Sequence, residues 1–480
     1  MNGSRSNSSS LAPLRADTLF LILLGIFAAI AGGLTAMVGG AIPLVLYSLP
    51  IAAAVVLANY RNGVWLLVLL LPFASTYMVP RQIFGVTGLN SENCLLVLTL
   101  LSLGLAALLS QVAVRFPRLP LALLVYIALI AFAAYRGSGS AERGITPPGE
   151  EPLTLNRYLL DGFAKPMIIV VVAWLAAVVS RNGNGRPLIW ALALAYVAFF
   201  GLIVGYLVVN GISLHILASA RERGFLNWTG MHANEVGLMA NLGFATLLYT
   251  AAATVQPLPR LTLFACAVAA ATTAALTFSR GAFFGLAIIV GYYLFSRRRA
   301  GQFVLALSII VGVALILPDA FVERATTGFA TEDTQAITAG RLDTIWRPLL
   351  PTFWEAPILG HGLSSTPWAT PNLRGTMLPV GHPHSAYLGV LLDLGMVGVP
   401  VVAAFFWSAW AMFRCLAKNH ADPLWRGVFE GGAVCLICLA VQGLTDDRFV
   451  PTYPQAALWL CYGLALGQAQ STCSTERTHP

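Results

Sequence analysis

The residues best suited to chemistry are histidines and arginines beside apolar runs. The chain has seven histidines, and two of them, His382 and His384, form an H-x-H in GHPHSAYLGVLLDLGMVG at 381–398, directly ahead of a long apolar stretch. An imidazole changes charge near neutral pH, so a neutral ring can take a proton from a hydroxyl group. H-x-H can also ligate a metal if a third and usually a fourth ligand are nearby. His361 is available, but no spaced Asp, Glu or Cys set completes a recognisable metal motif. A single imidazole base is the chemically simpler reading, and a polar helix cap is the structural alternative.

The arginines point to anions. Arg280 lies in TTAALTFSRGAFFGLAII, between two apolar runs. A charge at bilayer depth is costly, so it marks a helix end or a functional pair. The bland alternative is a snorkelling side chain at a tight turn on Gly281. A helix start beside Arg280 would also welcome an anion. Arg221 and Arg223 flank Glu222 ahead of FLNWTGMHANEVG. The guanidinium fork matches phosphate oxygens, although a solvated loop cluster has the same composition. Arg157 and Lys165 stand at another helix start, where Asp161 and Lys165 fit an ordinary i,i+4 ion pair. P-loop, G-x-G-x-x-G and G-x-S-x-G patterns are missing from the sequence, so neither ATP hydrolysis nor a nicotinamide cofactor is indicated.

These residues need a scaffold, and composition defines it. Of 480 residues, 58% are hydrophobic and 10% charged, and mean hydropathy is +0.76. Soluble domains carry roughly 25% charged residues. The expectation is an all-α polytopic transmembrane bundle. Candidate spans are 17–36, 40–59, 63–79, 93–112, 119–135, 160–180, 187–208, 232–252, 260–278, 281–296, 302–318, 386–413, 429–445 and 453–470. That is a count of about 14, with 12 as the alternative because several fall short of the ~20 residues a straight span needs. The organisation is then 1–318 as helices with short loops, 319–385 as one long periplasmic loop region with helical segments, and 386–480 as further helices with a short cytoplasmic tail.

Orientation follows from lysine and arginine in short loops. Arg61, Arg115 with Arg118, Arg181 with Arg186, Arg260, Arg297–Arg298–Arg299, and Arg414, Lys418 and Arg426 fall on one side. Both termini are therefore expected in the cytoplasm, with 319–385 outside. The formal net charge of +8 is scattered between apolar stretches, which suits anionic membrane lipids or anionic substrates rather than nucleic acid. Cys435 and Cys438 are spaced C-x-x-C inside a span and read as small packed hydrophobes.

The chain resembles the O-antigen ligase and O-antigen polymerase superfamily, most strongly over 225–400 and more weakly over 75–130. Four elements carry this resemblance: FGVTGLNSEN at 84–93, SRG at 279–281, GRLDTIWRPLL at 340–350 with PILGHGLS at 357–364, and the histidine segment. Ligases of the superfamily resemble a pattern of His, then Asn, Ser or Gln, nine residues, Gly, two residues, and Gly, Thr or Tyr. Here it is met by His384, Ser385, Gly395 and Gly398.

The resemblance implies a metal-independent, inverting glycosyltransferase of the bacterial inner membrane that needs no cofactor. Its donor would be an undecaprenyl-pyrophosphate-linked glycan and its acceptor the lipid A–core oligosaccharide. It assigns the base to His384 and pyrophosphate binding to Arg280 and to Arg223 or Arg221. His382, Arg341, Arg347 and His361 are further candidates. MHANEVG departs from the usual N-P-N form, so no role is carried over to Asn234. A polymerase, or a ligase acting on protein or another exopolysaccharide, would share the bundle and donor. A transporter would instead show inverted repeats and midplane charges.

Overall fold

The computed structural model describes residues 52–76, 82–83, 86–88, 90–109, 113–146, 152–213, 226, 228–297, 338, 340–376, 378–445 and 448–472. The principal helices, each of seven or more residues, are α1 (Tyr60–Leu70), α2 (Ser91–Leu109), α3 (Leu121–Ala141), α4 (Leu155–Arg181), α5 (Arg186–Val209), α6 (Ala233–Ala253), α7 (Pro257–Leu276), α8 (Arg280–Arg297), α9 (Arg347–Phe353), α10 (Ala386–Asn419), α11 (Pro423–Gln442) and α12 (Ala456–Thr472). Among the described residues, eight of these (α2 to α7, α10 and α11) are long and apolar enough to cross a membrane. This is the expected polytopic helical bundle. The expected spans 17–36 and 302–318, most of 40–59, and Arg221 and Arg223 lie outside the described residues. One small addition is a two-residue antiparallel hairpin pairing Gln82–Ile83 with Val86–Thr87.

α6 is the central helix, with 89% of its apolar window buried. It packs against α7 and α11, while α12 packs against α4. Small residues let the backbones approach closely, the usual device of membrane helix pairs. A side chain at Gly427 of α11 would meet the Tyr249 carbonyl of α6 at 2.5 Å, and one at Gly431 would meet the Ala245 carbonyl at 3.0 Å. On α12, Gly463 and Gly467 face the Ala173 and Ala177 carbonyls of α4 in the same way, at 2.0 and 2.6 Å. Cys435 and Cys438 are buried free thiols within α11, as their setting in an apolar run implies.

Three of the short basic loops meet at one end of the bundle. The Arg115 amide donates to the Asn182 side chain, and Arg186 pairs with Asp422. From that end α11 runs back to Gln442, while α4 and α10 arrive from Lys165 and from His384.

α10 is broken near its start. Gly395 has φ 67° and ψ −166°, outside the helical region. The PILGHG segment fills the break: Met396 and Val397 amides donate to the Pro357 and Ile358 carbonyls at 2.8 and 3.1 Å, and His361 and Gly362 amides donate to Leu392 and Asp393 carbonyls at 2.7 and 3.1 Å. A Cβ on residue 395 would stand 2.4 Å from the Ile358 carbonyl oxygen, so both the positive φ and the close approach require glycine. Leu363 then donates to the Ala133 carbonyl of α3 at 3.2 Å, which ties the loop to the bundle.

Candidate active site

The loop before α10 presents the H-x-H at a cavity of about 510 Å³. Ser385 caps α10 by accepting from the Leu388 amide at 3.4 Å. The Ala386 amide donates to the Gly443 carbonyl at 2.8 Å, and the Trp346 indole donates to the Pro383 carbonyl at 2.8 Å. His384 is thus pinned through its neighbours on both sides. Its own φ is 49°, and the His382 and His384 rings lie 3.9 Å apart between centroids.

Among the described residues, three that are not glycine have positive φ: Phe278, Ser364 and His384. Each such conformation costs about 1–3 kcal/mol and persists only where surrounding contacts enforce it. Ser364 and His384 line the cavity, and Phe278 immediately precedes Ser279, which also lines it. The strain is concentrated at one place.

A second wall is built by the starts of α6 and α8. His232 caps α6: its ring accepts from the Asn234 amide at 3.3 Å, and its own amide donates to Glu235 at 2.8 Å, a reciprocal capping box. The Ser279 hydroxyl donates to the Asn234 side-chain oxygen at 2.6 Å. Gln442 donates to the Gly281 carbonyl at 2.6 Å, and Asn241 to the Ala282 carbonyl at 2.9 Å. Arg280, half-buried, starts α8 between two cavity-lining residues that are held from both sides.

The third wall is charged. A turn of π-helix, Leu160–Ala164, interrupts α4 just before Lys165, a distortion often found at functional sites. Lys165 pairs with Asp161 at 2.5 Å, and Arg157 with the same carboxylate at 3.5 Å. Asp393, also in the cavity lining, accepts from the Ser364 and Ser365 amides at 2.8 and 2.9 Å and from the Ser365 hydroxyl at 2.7 Å. Arg448 donates to the Ser364 hydroxyl at 2.9 Å. Tyr453, also in the lining, donates to the buried Glu92 carboxylate at 2.7 Å. That last bond ties the FGVTGLNSEN element to the cavity.

Residues 265–444 match the O-Antigen ligase family model. The matched segment begins within α7 and ends just past α11, so it contains Arg280, Arg341, Asp393, Gln442 and the H-x-H. The resemblance read from the sequence is borne out over that stretch, and it supports a transferase of the ligase or polymerase type in a multi-pass membrane protein. No curated protein matches the chain in sequence.

Within the matched segment the expected residues divide. His382 and His384 line the cavity, and Arg280 lies between Ser279 and Gly281, which do. Arg341 reaches the rim by donating to the carbonyl of Thr445, a lining residue. Arg347 is exposed and pairs with Asp343 at 2.5 Å. His361 turns to the Thr352 carbonyl at 2.8 Å, under the broken helix. Neither joins the cavity lining. Among the described residues no three His, Cys, Asp or Glu side chains gather closely enough to hold a metal ion. Asn234, Asp393, Gln442 and Arg448 were not anticipated from sequence. Asn234 and Asp393 stand inside quoted motifs, which is the signal that could have found them.

Proposed function

We propose that this chain transfers a glycan from undecaprenyl pyrophosphate to the sugar core of lipid A, without metal or cofactor. The observation that carries the reading is that His384 opens into the same cavity as the two residues flanking Arg280. In the reaction, a neutral His384 imidazole takes the proton of an acceptor hydroxyl. The acceptor oxygen forms a bond to the anomeric carbon of the donor. The bond from that carbon to the pyrophosphate oxygen breaks, and its electron pair leaves with the pyrophosphate. One direct displacement inverts the anomeric configuration. Arg280 stabilises the charge developing on the leaving group. Arg221 or Arg223 would add a second guanidinium, and His382 and Arg341 are secondary candidates.

The cavity end of the bundle is proposed to face the periplasm, because three short basic loops gather at the opposite end. A reporter fused near Ala330 should be active only outside the cytoplasm; activity confined to the cytoplasm overturns the orientation.

A polymerase would use the same donor and the same base. The two are separated by a lipopolysaccharide gel of a deletion strain. Loss of long-chain species with accumulation of lipid-linked glycan is the expected result. Single-repeat products in place of long chains would assign polymerisation instead.

A further inference from the structure

A smaller cavity of about 170 Å³ opens beside the first. The two share Asp161, Gly162, Ser364 and Arg448 in their linings. The smaller one includes none of Asn234, Ser279, Gly281 or Gln442, so it joins the main cavity away from the wall that carries Arg280. Its charged lining, among the described residues, is Arg157, Arg448 and Asp161. Asp161 already serves Lys165 at 2.5 Å as well as Arg157 at 3.5 Å. Arg448 donates to the neutral Ser364 hydroxyl and faces Asp393 behind it. The described lining itself therefore holds two guanidiniums, Arg157 and Arg448, against one carboxylate, Asp161. Tyr158 and Pro367 complete the wall with apolar surface, the mixture that suits a sugar ring bearing an anionic group.

We infer that this side cavity is the subsite for an anionic sugar of the acceptor glycan, one carrying phosphate or carboxylate, adjacent to the sugar whose hydroxyl reaches His384. The inference rests on the proposed transfer reaction. The two guanidiniums in the lining offer the planar fork that binds such groups, while the shared Asp161 keeps Arg157 oriented. The donor pyrophosphate occupies the other wall, so the two anions do not compete.

The test measures KM for two acceptors with purified protein in detergent and a fixed lipid-linked donor. One acceptor is the intact lipid A–core; the other has its phosphates removed and its carboxyl groups methyl-esterified. The wild type should favour the charged acceptor in KM by about tenfold, the size of one charge-assisted hydrogen bond. Arg157→Gln should bring the ratio of the two KM values close to one, and Arg448→Lys should lower it partway, because lysine keeps charge without the fork. A wild-type ratio near one, or a wild-type ratio retained by Arg157→Gln, overturns the inference. Absence of transfer by the wild type to either acceptor defeats the underlying reaction itself and is distinguishable from both.

Discussion

His384→Ala is expected to lower transfer roughly 10²–10⁴-fold, the usual contribution of a positioned general base. A sugar hydroxyl is a poor nucleophile until its proton is leaving. In the proposed reaction the imidazole supplies that step, and the backbone on both sides of it is held by other groups. The preceding carbonyl is held by Trp346, and the following residues are held by the Ser385 cap and the Gly443 carbonyl. Alanine also carries a Cβ, so the positive φ at position 384 stays as constrained as before. Donor binding should survive in this variant, because Arg280 remains. His382→Ala, one ring away, should hurt less. With purified protein, lipid-linked donor and core acceptor, transfer by the wild type should persist in excess EDTA. Near-normal transfer by His384→Ala would defeat the assignment. Activity lost in EDTA and restored by a divalent ion would return the H-x-H pair to a metal role.

Local patterns in the chain announce the helices and hide most of the site. Each expected span within the described residues is a helix, because apolar length is read from neighbouring residues alone. The histidine pattern was legible as spacing, but its meaning was not. Gly395 is a glycine because Pro357–Gly362 inserts into a helix break, and that segment lies more than thirty residues upstream. Lys165 and Asp161 were legible as an i,i+4 pair, and they do pair. Spacing could not tell that the pair faces the cavity, because that depends on what α4 packs against. Asn234 was set aside because its motif departs from the usual form, yet its side chain accepts from Ser279 beside Arg280. Arg347 and His361 carried suitable chemistry in a suitable segment. Their partners, Asp343 and the Thr352 carbonyl, turn them elsewhere.

Arg280→Ala is expected to cost transfer at least roughly 10²–10³-fold, comparable to removing a donor aimed at developing transition-state charge. The protein should remain in the membrane. The turn that presents the guanidinium is fixed without it: Ser279 is bonded to Asn234, the Gly281 carbonyl to Gln442, and the Ala282 carbonyl to Asn241. The start of α8 also contributes backbone amides and the positive end of the helix dipole, so a pyrophosphate there meets a favourable field even before the side chain acts. This residual field predicts graded behaviour. Arg280→Lys should keep part of the activity, because lysine restores charge but not the two-pronged contact. The deficit should appear in kcat more than in acceptor KM, since the leaving group gains charge only as its bond breaks. Equal rates for Arg280→Ala and the wild type would reduce the residue to an interfacial anchor. A defect confined to acceptor KM would move it from the leaving group to the acceptor side of the cavity.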